Sequence, residues 1–201
     1  KPNPVIEGNP RSVNYKYFFN RKVAFLKESD AVALFPGGFG TLDEAMETIT
    51  LVQTGKRNPM PLVLVETPGS SYWDRVIRFI EEELLARGYI CPSDMTLFER
   101  VDSVEAAVER IRRFYRRYHS LRYVRGQLVI RLASPLGPGE ARTLTETFRD
   151  ILTPGGVIEP TGALDEEIDD ADAVDLPRLA VDFNRRGFGR LRSLIDAVNA
   201  F

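Results

Sequence analysis

The residues best placed to do chemistry lie together in the segment Pro36-Gly37-Gly38-Phe39-Gly40-Thr41-Leu42-Asp43-Glu44. An apolar run, Ala31-Val32-Ala33-Leu34-Phe35, precedes it and is short enough to be a buried strand. Proline and two glycines then force a turn and leave the backbone bare. From Thr41 onward a helix is expected, because Leu42, Ala45, Met46, Ile49 and Val52 recur at spacings of three and four. A strand, a glycine turn and a helix N-terminus make an anion site: unpaired N–H groups point outward and the helix dipole favours negative charge. Gly37, Gly38, Gly40 and Thr41 are the candidate phosphate donors, and Glu44 is a carboxylate one turn into the helix. Glu47 follows three residues later on the same side.

The residue types narrow the anion. No lysine follows the glycines, so the segment is not the Gly-x-x-x-x-Gly-Lys-Ser/Thr loop of nucleoside triphosphatases. The spacing also fails the Gly-x-Gly-x-x-Gly dinucleotide fingerprint. A structural reading of Glu44 competes with the chemical one. Thr41-Leu42-Asp43-Glu44 fits a capping box, in which the glutamate bonds back to the Thr41 amide. A cap of that kind has no need of three flanking glycines.

The elements that would position these residues can be read outward from the motif. Residues 1–14, with prolines at 2, 4 and 10, read as loop. A helix is expected over 15–29, with Phe19, Val23 and Leu26 on one stripe and Phe18 and Phe25 beside it. Arg21 borders that face. Periodicity reads it as a cation lying over aromatic rings, or as an arginine aimed into a pocket. Gly55 closes the motif helix. Pro61–Glu66 is the next strand, apolar on both faces as a parallel sheet requires. The Pro68-Gly69-Ser70-Ser71 turn opens a helix over 72–87 and is a weaker anion candidate. Tyr72 and Trp73 there either line a pocket or anchor the helix.

A short strand over 97–101 follows, then a helix over 104–118 with Val104, Ala107, Val108, Ile111 and Tyr115 as its expected core stripe. Its other face carries Arg110, Arg112, Arg113, Arg116 and Arg117, a run that reads as a solvated face or as a partner for acidic residues. Past His119 the pattern changes. Residues 122–132 suggest a bent strand or hairpin, 140–152 a helix, 155–159 a turn and short strand, 178–183 a strand, and 185–200 a glycine-rich turn and final helix. The acidic stretch 165–175 reads as a solvated loop.

Strand–helix alternation marks an α/β fold, in which ligands sit outside the carboxyl ends of parallel strands. The expected architecture is a Rossmann-like doubly wound parallel sheet over 1–119, followed by a small appended α+β module over 120–201.

The segment PGGFGTLDE at 36–44 resembles the Pro-Gly-Gly-x-Gly-Thr-x-x-Glu signature of the LOG phosphoribohydrolases, a family long labelled as lysine decarboxylases. The likeness extends upstream to Arg21-Lys22 and downstream through GYICPSDMTLFERVDSVEAAVERI, covering roughly the first 115 residues. It implies Arg21 and Glu44 as catalytic residues, with Lys22 and Glu47 assisting. It implies hydrolysis of a nucleoside 5′-monophosphate, AMP or a cytokinin riboside monophosphate, to free base and ribose 5-phosphate. It also implies a homodimer with a shared site and no cofactor. Members of the family carry strands ahead of this region, so an N-terminal part is expected to precede Lys1.

Composition sets bounds on the alternatives. With 201 residues, 43% hydrophobic, the chain can bury one core or two small ones. A net charge of −2 argues against a general nucleic-acid or membrane-surface role. Lone Cys91 precludes an internal disulfide framework and fits the cytoplasm. Lone His119 precludes a His-rich metal site, and no metal is expected. The competing function is non-catalytic: a nucleotide- or cofactor-binding protein like molybdenum-cofactor carriers or DNA-processing proteins, which would need the anion loop but not the Arg21–Glu44 pair. Lysine decarboxylation needs pyridoxal phosphate on a lysine Schiff base, and no lysine sits in such a motif.

Overall fold

The computed structural model describes residues 7–168 and 173–201. The chain divides into two compact units at Asp30/Ala31. In the first, residues 7–17 are irregular and α1 spans Phe18–Lys27. The expected apolar stripe of α1 is largely unburied: Leu26 is buried, whereas Phe19, Val23 and Phe25 are more than half exposed. This corrects the periodicity reading. A stripe is buried only if something covers it, and this unit has no second regular element among its described residues.

The second unit begins with a β–α–β–α–β run. Strand β1 (Val32–Leu34) is followed by α2 (Phe39–Gln53), β2 (Leu62–Val65), α3 (Tyr72–Phe79) and β3 (Glu99–Val101). The strands form a parallel sheet in the order β1-β2-β3, with Val32 opposite Leu62 and Val63 opposite Glu99. All four residues of β2 are buried, as befits a central strand covered on both faces. Helix α4 (Val104–Phe114) packs on this sheet through Ala107, with Val63, Val65 and Val101 as neighbours in one small cluster. Ser103 caps α4, its hydroxyl accepting the Ala106 amide at 3.1 Å.

Two helices differ from their sequence reading. Helix α3 changes register after Phe79 and continues as a π-helix over Ile80–Leu85, then a 3₁₀ turn over Pro92–Leu97 leads into β3. In α4 the buried residues are Ala107 and Phe114, while Val104 and Val108 are about half exposed. The helix ends at Phe114 because Tyr118 is already in the next strand, so Phe114 anchors it.

The remainder is a C-terminal α+β module. An antiparallel sheet runs in the order β4-β5-β7-β6, from β4 (Tyr118–Val124), β5 (Gln127–Leu132), β6 (Ile158–Thr161) and β7 (Arg178–Val181). Strands β4 and β5 are a hairpin whose turn residues, Arg125 and Gly126, both have positive φ, at 47° and 91°. That is the turn whose twist matches a two-residue hairpin. His119 is exposed on β4. Helices α5 (Pro138–Thr147) and α6 (Phe188–Ala200) complete the module. One large apolar cluster, with Leu128, Ile130, Leu132, Leu179, Leu194 and Ile195 at its centre, fills it.

The acidic stretch is only partly a solvated loop. Glu167 is fully buried, accepting from Arg131 Nη2 at 2.7 Å and from Arg178 Nε at 2.9 Å. Glu166 pairs with Arg125. Residues 169–172 lie outside the described residues. Among the described residues, the arginine run over 110–117 finds other partners. Arg110 meets Glu99 at 3.2 Å and Arg117 donates to the Pro135 carbonyl at 3.0 Å. Arg112, Arg113 and Arg116 are exposed to solvent.

Candidate functional site

Strand β1 ends at Leu34, and the chain turns through Pro36-Gly37-Gly38 into α2. The helix starts two residues before the expected position: Gly38 is the N-cap and Phe39 the first helical residue. Thr41 is therefore the third residue of the helix rather than its cap. Its amide donates to the Gly38 carbonyl at 3.1 Å, as does the Leu42 amide at 3.3 Å. The capping box is not formed, because it requires Thr41 at the N-cap and Glu44 three residues on. The amides of Phe39 and Gly40 lie ahead of the helix's own ladder and face outward at its positive end.

Each glycine here has a different reason. A Cβ at Gly37 would overlap the Thr41 hydroxyl, so only glycine lets that hydroxyl fold down onto the turn. At Gly38 and Gly40 a Cβ would meet nothing within 4 Å. Packing does not require glycine at either position, and their bareness keeps the approach to the backbone open. Glu44 stands four residues after Gly40 and three after Thr41, so its side chain leans toward the helix N-terminus. Glu44 and Glu47 are half-buried, and the Oε2 atom of each is shielded from solvent.

Helix α2 is fixed at its other end. Ala45, Thr48 and Val52 are buried. Gln53 Nε2 donates to Asp94 Oδ2 at 2.7 Å, and that oxygen also accepts the Cys91 amide at 2.8 Å. Gly55, at φ +69°, ends the helix, and the Phe188 ring of α6 packs where its Cβ would be.

The second loop at the same end of the sheet has its own occupant. The β1–β2 register places Glu66 level with Pro36. Glu66 is buried and accepts the Trp73 amide at 2.7 Å and the Thr67 amide at 3.2 Å. Burial pushes its carboxyl pKa up, but bonds from the Ser70 hydroxyl and the Trp73, Thr67 and Asp74 amides outweigh this and hold it below the usual carboxylate value. An internal carboxylate thus neutralises the start of α3, which removes the 68–71 turn as an anion site. Trp73 is fully buried against the edge of Tyr72, an anchor for the helix. Sequence reading passed over Glu66; its signal is an acid ending an apolar strand just before a Pro-Gly-Ser-Ser turn.

Gly37, Gly38, Gly40, Thr41, Glu44 and Glu47 therefore fall on one loop and one helix. Arg21, exposed, and Lys22, half-buried, lie on α1 in the other unit. Among the described residues no group of His, Cys, Asp and Glu could hold a metal, and no helix is long and apolar enough to cross a membrane. Pyridoxal phosphate does not fit the second unit. Its one lysine, Lys56, follows the far end of α2, about 22 Å from the anion turn at 1.5 Å per residue.

Comparison with known proteins gives the family. Residues 6–111 match the family described as possible lysine decarboxylase. The cytokinin riboside 5′-monophosphate phosphoribohydrolase LOG1 of Arabidopsis thaliana is 30% identical over 102 residues, covering 50% of this chain and 46% of the relative. The probable enzyme LOGL9 of Oryza sativa subsp. japonica is 32% identical over 94 residues, 47% of this chain and 40% of the relative. The probable enzyme LOG6 of Arabidopsis thaliana is 38% identical over 73 residues, 36% and 34% respectively. The chain spans less than half the length of these relatives. The matched region, 6–111, contains the whole anion turn, α2 and the Arg21-Lys22 pair. The chain belongs to this family, possible lysine decarboxylase by description and LOG by its named relatives.

Proposed function

We propose that the protein hydrolyses the N-glycosidic bond of a nucleoside 5′-monophosphate, AMP or a cytokinin riboside monophosphate, to free base and ribose 5-phosphate. The observation that carries this reading is the open N-terminus of α2, with bare glycines around it and Glu44 one turn inside. The outward amides of Phe39 and Gly40, the Thr41 hydroxyl and the helix dipole hold the phosphate. The sugar then lies over the first turn, within reach of Glu44.

Breaking the C1′–N bond builds positive charge on the anomeric carbon, and an oxygen from water must bond there. Glu44 offsets that charge and takes the water's proton as the new C–O bond forms, while the base leaves with the bonding electrons and takes up a proton from solvent; Glu44 then returns its proton to solvent. Arg21, the counterpart of the family's catalytic arginine, stabilises the departing base, and Lys22 and Glu47 assist. We further propose a homodimer, as the family resemblance implies.

The test is a panel of nucleoside monophosphates scored for base release by full-length protein. Glu44→Gln removes the proton acceptor while keeping size, and is expected to lower kcat by about 100-fold or more. Unchanged turnover in Glu44→Gln defeats the assignment. Nucleotide binding without base release by the unaltered protein supports the non-catalytic alternative instead.

A further inference from the structure

The glycine turn carries one large side chain, Phe39, and the structure gives it a distinctive setting. Phe39 is 92% exposed, the most exposed large apolar side chain among the described residues. A single exposed apolar residue is ordinary on a protein surface. This one sits at the first position of α2, between Gly38 and Gly40, with open space on both sides. Side chains on a helix tilt toward its N-terminus. At the first position that direction carries the ring past the end of the helix, beside the outward amides. Phe39 is thus the only side chain between Gly37 and Gly40, and it projects along the rim of the proposed phosphate site. Phe35, on the other side of the turn, is 47% exposed.

From this placement we propose that Phe39 is a specificity-determining residue, a stacking platform for the aromatic base of the nucleotide. The inference rests on the phosphate-site reading above. The base hangs one ribose away from the phosphate, and the Phe39 ring hangs one methylene away from a backbone whose amide meets that phosphate. An aromatic face accepts any planar base, so the platform selects a base-bearing phosphate over a bare sugar phosphate without choosing among bases.

The experiment compares AMP with ribose 5-phosphate by calorimetric binding to full-length protein, in a Glu44→Gln background that prevents turnover. With Phe39→Ala, AMP affinity is expected to fall about tenfold or more, the loss typical of base–aromatic stacking, while ribose 5-phosphate affinity is unchanged. Phe39→Trp restores AMP binding. Equal losses for both ligands, or no loss of AMP affinity, overturn the proposal. So does a change of oligomeric state in Phe39→Ala with AMP affinity intact, which assigns the ring to a contact between copies. Base release is not needed for this readout. Failure of the hydrolase reading alone leaves the AMP/ribose 5-phosphate difference in place, whereas failure of both ligands to bind the Phe39 protein overturns the phosphate site and the platform together.

Discussion

Gly40→Ala separates what α2 needs from what a ligand needs. Gly40 is the second residue of α2, its φ is not in the left-handed region, and a Cβ there meets nothing within 4 Å. Glycine within a helix costs about 0.5–1 kcal/mol relative to alanine. With no clash to offset that gain, Gly40→Ala should stabilise the fold, raising Tm by about 1–4 °C for a chain of this size. If a phosphate sits against the amides of Phe39 and Gly40, the added methyl stands in its path. Losing one hydrogen bond to a charged group costs about 1.5–3 kcal/mol, so kcat/KM for base release should fall about 10- to 100-fold. Scanning calorimetry and a base-release assay on the same preparation read both effects. Gly37→Ala is the control: its Cβ overlaps the Thr41 hydroxyl, so it should lose both stability and activity. A Gly40→Ala protein that gains stability and keeps full turnover refutes the placement of phosphate on this turn.

Three further predictions concern the module. Glu167→Gln leaves the fully buried Arg178 without its countercharge, though that guanidinium keeps the carbonyls of Val174, Ala173 and Leu176. Loss of a buried pair costs about 3–5 kcal/mol; with three carbonyls remaining, about 3 kcal/mol is expected in urea unfolding at neutral pH, and a loss below about 1 kcal/mol refutes the role given to the pair. The pH dependence has a definite sign. Burial pushes the Glu167 pKa up, but bonds from Arg131, the Leu164 amide and Arg178 bring it below its ordinary value of 4.5. A lowered folded-state pKa gives stability that is present above 4.5 and lost as pH falls through the folded value, so unaltered protein should lose this increment in acid while Glu167→Gln shows no such loss. Gly189→Ala, near the start of α6, places a Cβ on the Ser93 carbonyl oxygen, backbone that cannot swing aside. Overpacking of this kind costs about 1–3 kcal/mol; a Tm equal to that of the unaltered protein shows the helix can back away freely.

The alternation of strand and helix and the position of the glycine turn were legible because proline and glycine punctuate the chain at 36–40, 55 and 68–69. The start of α2 was misplaced by two residues, since Phe39-Gly40 continues the composition of the loop although its backbone is already helical. Burial was less legible than periodicity. Val104 and Val108 lie on the expected face of α4 but are about half exposed, while Phe114, outside the expected stripe, joins the module's core. Periodicity finds a stripe, and only the partner element decides how far along the helix it is covered. The acidic run misled for a similar reason. Local composition suggested solvation, yet Arg131 on β5 and Arg178 on β7 converge on Glu167 from adjacent strands 36 and 11 residues away. No window along the sequence contains that meeting.

The arrangement of α2 shows how the proposed phosphate site, made mostly of backbone, would be held in place. Exposed glycine loops are the least constrained part of a chain, yet amides and a dipole bind a phosphate best when they do not have to reorganise. Here the constraint comes from the far end of the helix. Thr48 and Val52 are buried, Gln53 is tied to Asp94, and the Phe188 ring sits against Gly55. The 3₁₀ turn that carries Asp94 is itself held by α6, with the Thr96 hydroxyl donating to the Gly189 carbonyl at 2.9 Å. Helix α6 is bound in turn to the parallel sheet: Arg192, almost wholly buried, reaches Glu99 at 2.9 Å and the Met60 carbonyl at 3.2 Å. A helix behaves as a rod over 15 residues, so fixing one end aims the other. The C-terminal module thereby helps to orient the amides at Phe39 and Gly40, which gives it a part in the proposed phosphate site that none of its own side chains would suggest.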